Sequence, residues 1–203
     1  IKYFKNFSPE IVFENENLIF FDKKGSIIKF NDTSNIIWKK NYYSKKEKRL
    51  LPLLNFSINK NILIVTDNLG KIYSLNLQSG EKLWTKNHTA VVISQIKIDN
   101  DKLYVVDSEN NINCFSLKDG EKIWLFKTDY DLIKSQKKLS IVFDDEKVYF
   151  NNSKGDIYAL DKINGNLVWL TSTMSNTESL KSFLIKTSEI VLDQDSLFFS
   201  NNN

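Results

Sequence analysis

The chain has 203 residues, of which 41% are hydrophobic and 26% are charged, and its net charge is +3. This composition is typical of a globular protein with a sizeable core, and no apolar run approaches the ~18 residues that a membrane-spanning helix needs. So small a net charge argues against a nucleic-acid partner. The single cysteine, Cys114, excludes an internal disulfide and fits either the cytosol or a periplasmic protein that needs no bridges.

In chain order, apolar stretches with strand character recur at a fixed place before each tryptophan. They lie at 17–22, 61–67, 102–108 and 147–153. Each is followed by a phrase that ends in tryptophan, and the phrases are KGSIIKFNDTSNIIW, GKIYSLNLQSGEKLW, NNINCFSLKDGEKIW and GDIYALDKINGNLVW. The four tryptophans are separated by 46, 40 and 45 residues, and they are Trp38, Trp84, Trp124 and Trp169. The sequence is therefore an internal repeat.

Each phrase predicts a β hairpin. Residues 71–77 of the second copy alternate with the period of a strand, Ile72 and Ser74 against Tyr73 and Leu75. A turn follows at 78–80, where a glycine adopts positive φ at no steric cost. The glycines at this turn position are Gly80, Gly120 and Gly165.

A further apolar stretch precedes each strand and hairpin, for example at 91–98 and 139–143. Each repeat therefore contains four short antiparallel strands. No stretch has sustained helical periodicity with caps, so we expect almost no helix. Four strands in a repeat of this length are typical of a propeller blade. The predicted fold class is all-β, a β-propeller of four-stranded antiparallel blades.

We predict a single propeller domain over residues 1–203, with each tryptophan filling the gap between its blade and the next. Replacing one of these tryptophans by alanine should cost about 3–5 kcal/mol. The predicted blades lie near 8–40, 49–86, 91–127 and 139–171, with a partial fifth at 183–203. We expect the chain to be a fragment of a longer propeller, and any targeting peptide to precede Ile1 or to have been removed.

The pattern GxIYALDxxxGxxxW resembles the repeat of the quinoprotein-type (PQQ-like) propellers. Three of the four copies fit closely, while the first lacks the second glycine and the third has an asparagine in place of the first glycine. The resemblance covers essentially the whole chain. It implies the fold, whereas function differs between a branch of quinone-dependent dehydrogenases and a non-catalytic, BamB-type branch of outer-membrane assembly lipoproteins.

The dehydrogenase branch implies a quinone held between a tryptophan and a disulfide of adjacent cysteines, with a Ca²⁺ ion beside it. Cys114 has no adjacent cysteine, and the tryptophans occupy the repeat positions. His88 is the single histidine and is interpreted as a loop residue, while acidic pairs such as Asp144 and Asp145 are interpreted as turn residues. We therefore predict no cofactor, no metal site and no enzymatic activity.

The BamB-type branch implies a loop after the third repeat that contacts the barrel-forming subunit through a Leu-x-Leu-Arg element. The corresponding stretch is 128–138, and we assign Leu132, Ile133 and Lys134 as partner-binding residues. A lysine in place of arginine removes bidentate pairing. The family's second contact, a pair of aspartates, has no counterpart in 176–189. The alternative is that Leu132 and Ile133 enter the core where a strand begins.

Two other features have alternative interpretations. The basic run at 39–49 interleaves lysines with aromatic residues, and we interpret it as a solvated loop rather than a nucleic-acid or anionic-membrane patch. Sequons at 55–57 and 87–89 keep open a third possibility, a lumenal stress-sensor propeller of similar fold.

The sequence therefore predicts a non-catalytic scaffold of the outer-membrane β-barrel assembly machinery, which binds the barrel-forming subunit through inter-strand loops. Such a protein would be periplasmic and associated with the outer membrane, with membrane attachment only through a possible lipid anchor outside this chain. The alternative is a fragment of a PQQ-dependent dehydrogenase whose active-site residues lie elsewhere.

Overall fold

The computed structural model describes residues 10–129, 138–172, 189–194 and 196–200. Apart from one short helix, the regular elements are β strands. They form antiparallel sheets in which strands adjacent in sequence are adjacent in space. The chain divides into two compact units, Ile1–Val91 and Val92–Asn203.

The first unit contains two four-stranded sheets, β1-β2-β3-β4 and β5-β6-β7-β8, joined by a link that carries the helix α1. The elements are β1 (Val12–Glu14), β2 (Asn17–Phe21), β3 (Ile27–Phe30), β4 (Ile36–Lys40), α1 (Lys45–Lys48), β5 (Leu54–Asn59), β6 (Ile62–Asp67), β7 (Lys71–Asn76) and β8 (Lys82–Asn87). The core of this unit is formed by residues of both sheets, including Ile19, Phe21, Leu63 and Leu75.

The second unit contains two further four-stranded sheets and a two-stranded one. The elements are β9 (Lys97–Asp99), β10 (Lys102–Val106), β11 (Ile112–Ser116), β12 (Lys122–Phe126), β13 (Ile141–Phe143), β14 (Lys147–Asn151), β15 (Ile157–Asp161), β16 (Leu167–Thr171), β17 (Val191–Asp193) and β18 (Ser196–Phe198). Tyr104, Val106, Val148 and Phe150 belong to its core.

These sheets confirm the predicted fold class, an all-β chain of four-stranded antiparallel blades. Two local expectations need correction. Most of the stretch 91–98 is not a strand, because β9 begins only at Lys97 and Val92 makes an isolated bridge to Asp107. The alternation within 71–77 does not separate a buried face from an exposed one, because both faces of β7 are buried.

Every four-stranded sheet has a bulge opposite its tryptophan. The register shifts between Lys29 and Phe30 in the first sheet, and at the equivalent place in the other three. The extra residue is the one before the tryptophan, and in each sheet it is an apolar residue about half exposed, namely Ile37, Leu83, Ile123 and Val168. A bulge adds one residue to one strand and bends it. It therefore sets the direction of the tryptophan side chain that follows.

Candidate functional site

The first repeated tryptophan of each unit packs against the glycine turn of the next sheet in that unit. Trp38 and Trp124 are buried, and an added Cβ on Gly80 would lie 2.8 Å from Cδ2 of Trp38. On Gly165 it would lie 2.6 Å from Cε3 of Trp124. Gly80, Gly120 and Gly165 all have positive φ, between 70° and 74°. Trp84 is half-buried, and Trp169 is 36% exposed beside Tyr149.

A backbone carbonyl anchors each of the two buried indoles. Nε1 of Trp38 donates to the carbonyl oxygen of Leu77 at 3.2 Å, and Nε1 of Trp124 donates to that of Lys162 at 3.4 Å. A lysine Nζ donates to the same carbonyl in both units, from Lys29 at 3.2 Å and from Lys102 at 3.3 Å. These tryptophans are thus oriented by hydrogen bonds as well as by packing, and their polar edges are satisfied.

A carboxylate or amide caps the turn after the second strand of every four-stranded sheet, a role that was not predicted from the sequence. In each case one side-chain oxygen accepts hydrogen bonds from the backbone N–H groups two and four residues later, at 2.8–3.0 Å. The four residues are Asp22, Asp67, Asp107 and Asn152. A detectable signal exists, because each stands three residues before a glycine or asparagine with positive φ.

The second oxygen of Asp67 connects this turn to the link between the first two sheets. The hydroxyl of Tyr43 donates to Oδ2 of Asp67 at 2.6 Å, and it lies 3.3 Å from the hydroxyl of Tyr73. All three residues are buried. Burial, with Asp67 nearby, raises the pKa of Tyr43 and of Tyr73, so both hydroxyls stay protonated and act as hydrogen-bond donors.

The interpretation of 39–49 as a solvated loop is therefore wrong in part. Tyr43 is 5% exposed, and the helix α1 follows it directly. Ser44 and Glu47 form a capping box, in which the Ser44 hydroxyl accepts from the backbone N–H of Glu47 while the Glu47 carboxylate accepts from that of Ser44. Glu47 also pairs with Lys71 of β7 at 2.5 Å, which fixes the helix to the second sheet.

The pH dependence of stability should report on Glu47. The hydrogen bond from Lys71, with those from Ser44, lowers the pKa of Glu47 to about 2. Because the pKa is lower in the folded state than in the unfolded state, where it is about 4.3, the ionised Glu47 stabilises the fold above that pH. This stabilisation is lost as the pH falls toward 2. We expect Glu47→Gln to lower the urea midpoint at pH 7 and to have little effect at pH 2. An equal loss at both pH values would contradict this assignment.

A cleft lies on one face of the β7–β8 hairpin, beneath the link. Its volume is about 300 Å³, and we call it the link cleft. The lining residues are Tyr42 and Glu47 of the link, Lys71 and Tyr73 of β7, and Lys82, Thr85 and Asn87 of β8. The cross-strand pairs Lys71–Asn87 and Tyr73–Thr85 form its floor. Tyr42 closes one end, where its hydroxyl donates to the carbonyl oxygen of Gly80.

The residues assigned to partner binding, Leu132, Ile133 and Lys134, lie outside the described residues. The described chain on either side of them is anchored. The hydroxyl of Thr128 donates to the carbonyl oxygen of Asn110 at 3.1 Å. Leu139 is fully buried, and its N–H donates to the carbonyl oxygen of Ile93 at 3.0 Å.

Asp144 and Cys114, which were weighed as catalytic or cofactor-binding residues, have local interactions that account for them structurally. Oδ1 of Asp144 accepts from two backbone N–H groups in its turn, and Oδ2 accepts from Tyr149 at 2.7 Å. Burial opposes the ionisation of Asp144, but these hydrogen bonds outweigh it and lower the pKa. Cys114 is fully buried in β11, and burial raises its pKa to about 12. Its surroundings do not fit the adjacent-cysteine disulfide of a quinone site.

Within the described ranges, no set of three or more histidine, cysteine, aspartate or glutamate side chains is arranged to hold a metal ion. In the same ranges, no helix has the length and apolar character required to cross a membrane.

The chain matches one family model and several solved structures. The model, described as outer membrane protein assembly factor BamB, matches residues 23–203. The crystal structure of BamB from Moraxella catarrhalis has a TM-score of 0.78 at 16% identity, covering 95% of this chain and 57% of that one. The chain thus spans just over half of that relative. No curated protein sequence matches it.

Quinoprotein enzymes are also similar in fold. The quinohemoprotein alcohol dehydrogenase ADHIIG from Pseudomonas putida HK5 has a TM-score of 0.61 at 12% identity, with 81% of this chain and 34% of that chain covered. The quinohemoprotein alcohol dehydrogenase from Comamonas testosteroni has a TM-score of 0.60 at 13% identity, with 80% and 34% covered. At such identities the structural likeness shows the fold alone.

Proposed function

Since the chain belongs to the family of the outer membrane protein assembly factor BamB, we propose that it is a non-catalytic scaffold of the outer-membrane β-barrel assembly machinery. Its partner would be the barrel-forming subunit, and it would act in the periplasm at the outer membrane. A lipid anchor outside this chain would supply the membrane attachment. The family match over residues 23–203 is the observation that carries the proposal.

The local architecture supports a geometric role. Short strands, bulges and capped turns recur in every four-stranded sheet, and in two of these sheets a hydrogen-bonded tryptophan adds to a rigid frame. Loops on a rigid frame are well suited to recognition, because they lose little conformational entropy when a partner binds. We propose that such loops bind the barrel-forming subunit and that the protein makes and breaks no covalent bonds.

We propose Leu132, Ile133 and Lys134 as the contact element. An apolar pair with an adjacent cation suits an interface, because the apolar side chains supply buried area and the lysine supplies an ion pair. The stretch follows the third repeat and joins two anchored ends, Thr128 and Leu139.

A pull-down from detergent-solubilised membranes tests this function. The bait is the full-length protein, compared with a Leu132→Asp, Ile133→Asp variant shown to be folded. A matched control replaces another apolar pair, Leu50 and Leu51, each 58% exposed, by aspartate. We expect the parent and the control to recover the barrel-forming subunit, and the loop variant to lose most of it.

The outcomes separate function from site. Recovery by all three proteins would retain the scaffold function and reject the Leu132–Ile133 contact. Failure of the parent to recover any membrane partner would overturn the scaffold function.

A second candidate follows from the structural similarity to quinohemoprotein alcohol dehydrogenases. In that case the chain would be part of a quinone-dependent dehydrogenase whose active-site residues lie beyond these blades. An absorption spectrum of the full-length protein with added quinone and Ca²⁺ distinguishes the two. Quinone binding, together with no membrane partner in the same preparation, would favour the dehydrogenase.

A further inference from the structure

We propose that the link cleft is a binding site for a carboxylate side chain of an extended peptide segment that lies along strand β8. This site is distinct from the loop element proposed above, and the inference does not depend on the identity of the assembly partner. It rests on the charges around the cleft, on the hydrogen-bond donors inside it and on the position of β8 in its sheet.

The residues that line the link cleft carry more positive than negative charge. Two lysines and one glutamate line it, and the glutamate is already engaged, because Glu47 pairs with Lys71 at 2.5 Å. Lys82 has no carboxylate partner in the part of the chain that the structure describes; its Nζ stands over the ring of Tyr42, 5.7 Å from the centroid. A cation on an aromatic face beside a cavity is ready to bind an anion without first breaking an ion pair.

The cleft also contains neutral donors. Thr85 and Asn87 of β8 are exposed and line the open side, and their side chains supply a hydroxyl and an amide. Burial, together with the charge of nearby Glu81, raises the pKa of Tyr42 to about 12, so the Tyr42 hydroxyl stays neutral near neutral pH. Glu81 is itself paired with Lys40 at 2.6 Å. A carboxylate in the cleft would therefore meet cations and neutral donors, because Glu47 of the lining pairs with Lys71 and nearby Glu81 pairs with Lys40.

The position of β8 favours a peptide as the source of the carboxylate. β8 is the edge of its sheet and pairs only with β7 in the described structure. An edge strand is a template to which an extended segment can add as a further strand. A peptide on this edge would pass the open side of the cleft, where an acidic side chain reaches Lys82.

A peptide titration followed by two-dimensional ¹H–¹⁵N NMR tests the proposal. The probes are a capped hexapeptide of valine and threonine with one central glutamate, the same peptide with glutamine, and inorganic phosphate. We expect the glutamate peptide to shift the backbone amides of Thr85 and Asn87. It should bind about fivefold more tightly than the glutamine peptide and more weakly as salt is added.

Strand β8 provides matched variants. Lys82 faces the link cleft, whereas Lys86 pairs with Ile72 on the opposite face of the same hairpin. Lys82→Gln should weaken the glutamate peptide about fivefold, and Lys86→Gln should leave its affinity within about twofold. Unchanged thermal midpoints would show that both variants are folded.

Four results would overturn the proposal. Equal binding of the glutamate and glutamine peptides would exclude carboxylate recognition. Equal weakening by Lys86→Gln and Lys82→Gln would indicate general attraction to a basic surface. Shifts of the cleft amides with phosphate alone would mean an inorganic anion site without a peptide. Absence of binding by every probe at millimolar concentration would exclude the site altogether.

Discussion

Replacing Gly165 by alanine is expected to lower the free energy of unfolding by about 3 kcal/mol. The new Cβ would lie 2.6 Å from Cε3 and 2.7 Å from Cδ2 of Trp124. The indole has little room to move, because its Nε1 is hydrogen-bonded to the carbonyl of Lys162 and its ring packs against Tyr104. Gly165 also has φ of +74°, which alanine adopts only at a cost. Urea unfolding measures the loss.

Two further variants separate the contact with Trp124 from the backbone strain. Asn100 has φ of +51° and is exposed, so Asn100→Ala reports the strain without the clash and should cost about 1 kcal/mol. Trp124→Ala alone should cost about 3–5 kcal/mol. In that background Gly165→Ala should cost only about 1 kcal/mol, because the indole is gone. Additive losses would show that Trp124 does not restrict the residue at position 165.

Asp67→Ala is expected to be destabilising by about 4 kcal/mol, since three donors, one of them buried, lose their acceptor at once. Oδ1 of Asp67 accepts from the backbone N–H groups of Leu69 and Lys71, each at 2.8 Å, and Oδ2 accepts from Tyr43. Asp67 is itself 1% exposed, so water cannot replace these bonds without opening the turn. Chemical unfolding monitored by circular dichroism measures the effect.

Asp67→Asn is the informative control, because the fourth sheet has asparagine at the same place. Oδ1 of Asn152 accepts from the N–H groups of Lys154 and Asp156 at 3.0 and 2.9 Å. An asparagine at 67 retains this oxygen and loses only the charge-assisted bond from Tyr43, so we expect a cost of about 1 kcal/mol. Equal losses for alanine and asparagine would mean that the turn cap contributes little.

The repeat made the blades predictable, because a strand period of two residues and a turn glycine are local signals. Tyr43 was missed for the opposite reason. It lies in a basic run of solvated composition, and its burial depends on Asp67, 24 residues away, and on Tyr73. The bulge before each tryptophan was also missed, because the sequence of a strand does not reveal which of its residues is left unpaired with the neighbouring strand.

The candidate site shows the same division between local and distant signals. The capped turns were recognisable in principle, as an aspartate or asparagine three residues before a positive-φ position. The link cleft was not, because its residues come from three separate segments that only the folded chain brings together. The assignment of Leu132, Ile133 and Lys134 came from the family resemblance and stays a prediction.

The bulges also limit how far an incoming strand is able to grow. In β8 the extra residue is Leu83, so the straight run of backbone after it extends only from Trp84 to Asn87. A peptide that paired with β8 would form a few regular backbone pairs and then meet a bend that breaks the register. Short, reversible pairing of a peptide with β8 is thus favoured over the long, regular strand ladder on which fibres depend.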